Sequence, residues 1–328
     1  MKGIMKWAAV LGALAAACAG ETAYFYRRTM MRNNAKVELT MKMAGTDWSQ
    51  YAPMLAQRKE AMLGKLHRDV FIQSWDGLRL HGTYFPIGEE KKVVICFHGY
   101  TSEGMKDYIA LSDYYLNRGY SMLLIDARSH GKSEGRYIGF GCLDRKDALK
   151  WIDWVIGQCG HTVRIVLHGT SMGGATVLMT SGLELPEQVR GVVSDCAFTS
   201  PKEVFTHVLH SMYHLPAFPV IYLADLVNRK LAGYGMDECN AAREVAKAKV
   251  PILMIHGDGD TFVPSRMCDK IYANCASPKR KLIVKGAAHA ESYYKDTAAY
   301  EEALGDFLKE ILGEDVLTKE SGLEACAE

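Results

Sequence analysis

One segment of the chain limits its fold more than any other: an apolar run that ends in a glycine-flanked serine. Residues 163–167 read Val-Arg-Ile-Val-Leu, as expected of a buried strand, and Gly169-Thr170-Ser171-Met172-Gly173 follows almost at once. Glycines at this spacing suit a sharp turn from a strand into a helix, because side chains there would crowd the backbone. Such a turn lifts the hydroxyl clear of a sheet and exposes the next backbone N–H. The segment therefore predicts a strand–turn–helix unit with Ser171 as a candidate nucleophile.

Strand-like and helix-like segments alternate through most of the remaining chain. Residues 70–74 and 78–85 flank Asp76-Gly77, a pair typical of a hairpin turn. An antiparallel start followed by such alternation predicts an α/β fold, a doubly wound and mostly parallel sheet with helices on both faces. Further strands are predicted at 93–97, 121–125, 189–194, 252–255 and 282–284, and helices at 105–118, 145–156, 265–274 and 297–312.

A long segment interrupts this alternation. Residues 198–249 separate two predicted strands that a short helical connection could join, so we expect a helical cap insertion over the strand ends, where such sheets bind ligands. Its apolar residues, among them Phe205, Val208 and Leu209, either pack the cap onto the domain or line a pocket above Ser171. The predicted organisation is a signal peptide or membrane anchor over 1–36, a helical linker over 37–66, the α/β domain over 67–312 and a flexible tail over 313–328.

The beginning of the chain resembles a targeting segment. Two lysines precede an apolar run over residues 7–20, which Glu21 then interrupts. The pattern is compatible with an uncleaved anchor over residues 7–26, with a cleaved signal peptide, and with a lipoprotein signal at Cys18. We expect the protein to be associated with a membrane through residues 7–26 or to be exported. The positive charges that follow the run slightly favour a cytoplasmic catalytic domain but leave the side of the membrane open.

The overall composition favours no large charged partner. The formal net charge is +1, so nothing suggests binding to nucleic acid. The nine cysteines are scattered without zinc-like spacing, which indicates mostly free thiols and mildly favours a reducing compartment. We expect no cofactor and no metal, and the oligomeric state stays open. A weaker alternative is a metal site, because His207, His210 and His214 could share a helix face with Glu203.

An acid and a base follow two later strands. The strand predicted at 252–255 leads into Asp260, and the strand at 282–284 leads into His289. With Ser171 they form a Ser–Asp–His order in which the histidine takes the serine proton and the aspartate fixes the histidine tautomer. Asp195, which follows the strand at 189–194, is the alternative acid.

These motifs together resemble the α/β-hydrolase superfamily over residues 70–312. Within it they are similar to the branch that groups prolyl-oligopeptidase-like and acyltransferase/thioesterase-like esterases. The resemblance implies that Asp260, rather than Asp258, is the acid of the triad. It also implies an oxyanion hole formed by the backbone N–H groups of Tyr100 and Met172. The stretches that match are His98-Gly99, residues 126–135, the serine turn, and His256-Gly257 with Asp260 and Val263-Pro264.

The chain also departs from some relatives. It lacks a His-Gly-Gly-Gly oxyanion loop, so it does not resemble hormone-sensitive-lipase-type esterases, and it has no room for the propeller of true prolyl oligopeptidases. A carboxylate would be expected in place of Ser171 in a dehalogenase or an epoxide hydrolase.

The leading hypothesis is a serine hydrolase that cleaves carboxylic esters or thioesters of a small-molecule acyl substrate through an acyl-Ser171 intermediate. A small aminopeptidase or amidase would use the same residues and is the alternative. A non-catalytic binding module is less consistent with the chain, because such proteins usually lose one member of the triad. The identity of the substrate and the length of its acyl chain are not predicted.

Overall fold

An eight-stranded sheet forms the centre of the molecule, and its strand order is β1-β2-β4-β3-β5-β6-β7-β8. The computed structural model describes residues 2–32, 46–88 and 91–313. Strand β2 runs antiparallel to both of its neighbours, and all other neighbouring pairs are parallel. The predicted α/β class is therefore confirmed. The strands are β1 (Arg68–Gln73), β2 (Arg79–Phe85), β3 (Lys92–Phe97), β4 (Ser121–Ile125), β5 (Arg164–Thr170), β6 (Val189–Asp195), β7 (Ile252–Gly257) and β8 (Lys279–Val284).

Helices cover both faces of this sheet. They are α1 (Lys2–Thr29), α2 (Ala52–Leu63), α3 (Gly104–Leu116), α4 (Asp144–Cys159), α5 (Met172–Ser181), α6 (Pro201–Tyr213), α7 (Val220–Leu231), α8 (Ala241–Glu244), α9 (Arg266–Asn274), α10 (Ser292–Lys295) and α11 (Thr297–Leu312), with short 3-10 turns at Trp48–Tyr51 and Val245–Lys247. Helices α3 and α11 pack on one face, while α4, α5 and α9 pack on the other.

The central strands are mostly apolar because both of their faces are buried. In β3, Val93 and Ile95 pack among the α4 and α5 side chains, whereas Val94 and Cys96 pack among those of α3 and α11. The edge strand β8 differs: it begins at Lys279, three residues before its predicted start. Its first residues, Lys-Arg-Lys, carry charges that hide the strand pattern, and charged side chains are common on exposed edges.

The insertion between β6 and β7 contains the helices α6, α7 and α8. Helix α1 packs along α7, and its residue Tyr26 and the Met30 that follows the helix are buried. Within the ranges that the structure describes, no helix combines the length and apolarity needed to cross a membrane. The predicted tail after residue 313 and the part of the predicted linker before residue 46 lie outside the described residues.

Candidate active site

Ser171 occupies the sharp turn between β5 and α5. Its backbone has φ 54° and ψ −111°, a region that non-glycine residues rarely adopt and that functional sites often retain. The turn is also tightly packed. A Cβ atom on Gly169 would collide with the backbone of Gly173, and one on Gly173 would collide with the carbonyl of Phe97. The two glycines are therefore required by close backbone contacts around the serine.

The three predicted triad side chains form one hydrogen-bonded chain. His289 Nε2 lies 2.8 Å from Ser171 Oγ, and His289 Nδ1 lies 2.7 Å from Asp260 Oδ2. A carboxylate can only accept, so Nδ1 carries the proton in the neutral ring and Nε2 is left to accept from the serine. All three residues are buried, with relative exposures of 7%, 6% and 4% for Ser171, His289 and Asp260. The arrangement can transfer a proton from the serine hydroxyl.

Asp260 is held by four groups. Its Oδ1 accepts hydrogen bonds from the N–H groups of Phe262 and Val263, at 3.0 and 2.8 Å. Its Oδ2 faces His289 on one side and His256 Nε2, 3.4 Å away, on the other. Burial alone would raise the pKa of Asp260, but the charge of His289 and the hydrogen bonds from both histidines hold that pKa below its ordinary value. The carboxylate is therefore kept ionised.

His256 also belongs to the site, and the sequence did not predict this. It ends β7, and its Nε2 donates a 2.7 Å hydrogen bond to the carbonyl of Val263. Burial lowers its pKa, but hydrogen bonding and attraction to Asp260 outweigh burial and raise the pKa to about 10. The spacing of His256 and Asp260 was the available signal, since it puts both side chains at the carboxyl end of one strand.

The other two candidate acids contact different partners. Asp195 Oδ1 accepts a hydrogen bond from the Ser292 hydroxyl at 3.2 Å, and burial raises the pKa of Asp195 to about 6. Asp258 Oδ1 accepts from the N–H of Gly286 at 2.5 Å. Of the three aspartates, Asp260 is the one whose carboxylate accepts a hydrogen bond from His289.

The two predicted oxyanion donors lie in backbone segments next to the serine. Met172 is the first residue of α5, so its N–H belongs to the positive end of the helix dipole. Tyr100 follows β3 in a loop whose Gly99 lies against Ser171: a Cβ atom on this glycine would be 3.5 Å from the serine Cβ. Thr101, the next residue, has a positive φ of 58°. Both backbone segments therefore lie next to Ser171.

Two buried histidines fasten this loop to residues 126–135, a segment to which the sequence assigned no chemistry. His98 Nδ1 donates to the carbonyl of Gly99 at 2.7 Å, and its Nε2 accepts from the N–H of Ala127 at 3.0 Å. His130 Nε2 accepts from the N–H of Thr101 at 3.3 Å. Burial, followed by the proximity of His98, lowers the pKa of His130 to about 3, so the ring stays neutral and can accept.

Residues before the α/β domain hold the loop that carries His289. The hydroxyl of Thr46 donates to the carbonyl of His289 at 2.7 Å. The hydroxyl of Tyr51 donates to Glu291 Oε1 at 2.8 Å, and Glu291 Oε2 accepts from the N–H of Ala288 at 2.9 Å. The segment predicted only as a linker therefore holds the loop that carries His289.

Two cavities meet at Ser171. The aromatic cavity, about 170 Å³, contains His289 and is bordered by Trp48, Leu55, Lys106, Asp107, Tyr293 and Tyr294. The α1–cap cavity, about 230 Å³, lies between α1 and α6 and is mainly apolar. Its lining includes Phe25 and Thr29 from α1, Val204, Phe205, Val208 and Leu209 from α6, and Phe140 and Phe198. The cap residues therefore line a pocket, which is one of the two possibilities that the sequence allowed for Phe205, Val208 and Leu209. The sequence did not predict that α1 lines the same pocket.

The structure does not gather the cap histidines into a metal site with any of the described residues. His207 Nε2 donates to the carbonyl of Thr261 at 2.9 Å, and its Nδ1 accepts from Arg266 at 3.2 Å. Glu203 pairs with Lys270, and His214 ends α6 in a left-handed conformation. In the part of the chain that the structure describes, no three His, Cys, Asp or Glu side chains are placed to hold a metal ion.

Comparisons with known proteins agree with this fold. The family described as serine aminopeptidase, S33, matches residues 88–232. An uncharacterised protein of Mycobacterium tuberculosis, Rv2307c, is 30% identical over 253 residues, which are 75% of this chain and 82% of that one. YqkD, an uncharacterised protein of Bacillus subtilis, is 27% identical over 237 residues, covering 72% of this chain and 77% of YqkD.

Solved structures of esterases show the same architecture. The Pyrococcus furiosus esterase Pf2001 superposes with a TM-score of 0.64 at 23% identity, over 77% of this chain and 94% of that chain. Est1E from Butyrivibrio proteoclasticus, solved with ferulic acid bound, gives a TM-score of 0.58 at 18% identity, over 75% of this chain and all of Est1E.

The sheet order and the serine turn define an α/β-hydrolase fold. The chain belongs to the α/β-hydrolase superfamily, and within it to the family of Rv2307c. It is accordingly a hydrolase enzyme.

Proposed function

We propose that the protein is a serine hydrolase that cleaves carboxylic esters or thioesters through an acyl-enzyme on Ser171. The observation that carries this proposal is the unbroken chain of hydrogen bonds from Ser171 Oγ through His289 to Asp260, at 2.8 and 2.7 Å. It joins a nucleophile, a base and an ionised carboxylate in a buried site next to two cavities.

In the proposed reaction, Ser171 Oγ attacks the acyl carbon while its proton passes to His289 Nε2. The tetrahedral oxyanion is stabilised by the N–H groups of Tyr100 and Met172. His289 then protonates the departing alcohol or thiol, and Asp260 stabilises the transient imidazolium. A water molecule, deprotonated by His289, attacks the acyl carbon in the second half of the reaction and releases the acid and free Ser171.

The alternative is an aminopeptidase, which the description of the matching family favours. An aminopeptidase must hold the ammonium group of its substrate with a carboxylate near the serine. Asp107 is committed to the N–H of Gly99, at 2.7 Å, and to the hydroxyl of Ser102. Asp195, which also lines the aromatic cavity, is buried and accepts from Ser292 at 3.2 Å. This leaves Glu21, an exposed residue of the α1–cap cavity, as the carboxylate that such an enzyme would use. The apolar lining near Ser171 favours an uncharged acyl group.

One panel separates these functions. The purified full-length enzyme is assayed with p-nitrophenyl esters, an acyl thioester and aminoacyl p-nitroanilides. We expect hydrolysis of the esters or the thioester and little hydrolysis of the anilides; faster cleavage of the anilides, reduced by Glu21→Gln, would support the aminopeptidase.

Labelling with a fluorophosphonate probe checks the nucleophile. Ser171→Ala should abolish labelling, whereas Ser211→Ala, at an exposed serine of α6, should label like wild type. Equal labelling of Ser171→Ala and wild type would refute the assignment of Ser171.

We also propose that residues 7–26 associate with a membrane. Trp7 and Tyr24 are 70% and 67% exposed on α1, and Phe218 and Leu226 are exposed on or next to the neighbouring α7. Exposed aromatic residues of this kind suit the interface between lipid and water. Wild type should sediment with phosphatidylcholine vesicles and Trp7→Glu should do so less; equal sedimentation of the two would count against the proposal.

A further inference from the structure

Helix α1 is fastened to the α/β domain at its C-terminal end. Tyr26 is buried, and its hydroxyl donates to Asn228 Oδ1 on α7 at 3.2 Å. The carbonyl of Met30 accepts from the N–H of Ile138 at 2.9 Å, and the N–H of Arg32 donates to the carbonyl of Arg136 at 2.9 Å. These bonds involve main chain and buried side chains, so they fix the position of the last turns of α1.

The fastened turns lie against the reaction centre. Phe25 packs edge-on against Phe205 of α6, with ring centroids 5.8 Å apart and planes at 88°. The hydroxyl of Tyr100, whose backbone is a predicted oxyanion donor, donates to the carbonyl of Arg28 at 3.2 Å. Phe25 and Thr29 therefore form one wall of the cavity that opens beside Ser171.

The position of His289 assigns the two cavities to the two halves of a substrate. His289 must protonate the leaving group, so the leaving group lies on the side of His289. His289 lines the aromatic cavity, together with polar groups of Lys106 and Asp107. The α1–cap cavity shares Tyr100, Ser171 and Phe262 with the aromatic cavity but is not lined by His289, so it is the place left for the acyl group.

We propose that the α1–cap cavity binds an unbranched fatty acyl chain and that α1 is one wall of this acyl site. This inference rests on the proposed function and names the substrate class: esters or thioesters of aliphatic acids longer than acetate. The wall that faces the chain is aliphatic and aromatic, contributed by Phe25 on α1 and by Val208 and Leu209 on α6. Such a lining gains free energy with each methylene group that leaves water.

The test uses full-length protein and p-nitrophenyl esters from acetate to dodecanoate, so that the leaving group stays constant. For wild type we expect kcat/KM to rise about fourfold for each added methylene until the cavity is full. Thr29→Phe fills the cavity from α1, and Val208→Phe fills it from α6. Each should lower the ratio of kcat/KM for octanoate to that for acetate at least tenfold and shift the optimum to a shorter chain.

Matched controls place the same side chain outside the cavity. Ala23→Phe on α1 and Ser211→Phe on α6 alter exposed positions, so both should keep the wild-type ratio. Because the readout is a ratio within one variant, partial loss of folded protein does not affect it.

Three results would overturn the inference. If wild type cleaves acetate as fast as octanoate, or if Thr29→Phe leaves the ratio unchanged, the acyl site is refuted while the proposed esterase stands. If wild type cleaves no ester or thioester, the proposed function falls, and the acyl site falls with it.

Discussion

Exchanging the two buried aspartates near His289 for asparagine should have very unequal consequences for activity. In Asp260→Asn an amide replaces the carboxylate 2.7 Å from His289 Nδ1. The amide can present its NH₂ group to that nitrogen, which favours the wrong tautomer, and it no longer stabilises the imidazolium. In a triad this exchange lowers kcat by about 10⁴-fold, equivalent to about 5 kcal/mol of transition-state stabilisation. Asp195→Asn keeps the size of a side chain that contacts Ser292, and should retain kcat within about tenfold, a loss below about 1.4 kcal/mol.

The assay is the steady-state hydrolysis of the best p-nitrophenyl ester by both variants. Thermal unfolding of each variant, measured in parallel, identifies any loss that reflects misfolding rather than chemistry. A 10⁴-fold loss in Asp195→Asn together with near-normal activity in Asp260→Asn would refute the reasoning and make Asp195 the acid.

Three further predictions concern stability and support of the site. Burial raises the pKa of Asp195 to about 6, so the native state favours the protonated form of this side chain. The stability that this protonated carboxyl group contributes is full below pH 4 and is lost as the pH rises through 6. Urea unfolding should therefore show Asp195→Asn gaining up to about 3 kcal/mol relative to wild type between pH 4 and pH 8; no gain would contradict the buried-charge argument. Gly173→Ala should yield little folded protein because its methyl group would collide with the Phe97 carbonyl. Gly157→Ala, on α4 where a methyl group would touch nothing, should stabilise the protein by about 0.5–1 kcal/mol. Equal stability of the two variants in denaturant melts would show that the turn is not tightly packed. Tyr51→Phe removes the hydrogen bond to Glu291, so it should lower the free energy of unfolding in urea by about 1 kcal/mol and lower kcat several-fold. An unchanged kcat would show that the His289 loop keeps its position without Tyr51.

The sheet was largely predictable because its strands are buried on both faces. Continuous apolar runs such as that of β3 leave a strong local pattern, and the turn at Ser171 needs glycines that sequence shows directly. The start of β8 was missed because an edge strand tolerates charges that mask its alternation. The bounds of a strand were therefore easiest to predict where the strand is most completely buried.

The remainder of the site depends on contacts that no local pattern encodes. Tyr51 and Glu291 are separated by 240 positions in the chain, and Tyr26 and Asn228 by 202. The apolar character of α1 suggested a targeting segment, and the same character lets Phe25 line a cavity beside Ser171. Composition shows that a helix is apolar, but it does not show whether that helix contacts lipid, the protein core or a substrate.

Trapping the acyl-enzyme would show directly whether Ser171 is the nucleophile. Wild type and Ser171→Ala are mixed with the best p-nitrophenyl ester, quenched in acid within the first turnover, digested and analysed by mass spectrometry. In wild type, the peptide containing Ser171 should gain the mass of the acyl group, alongside a burst of p-nitrophenol, and the variant should show neither. An acyl group on another residue, or a burst of equal size from Ser171→Ala, would contradict the assignment of Ser171 as the nucleophile.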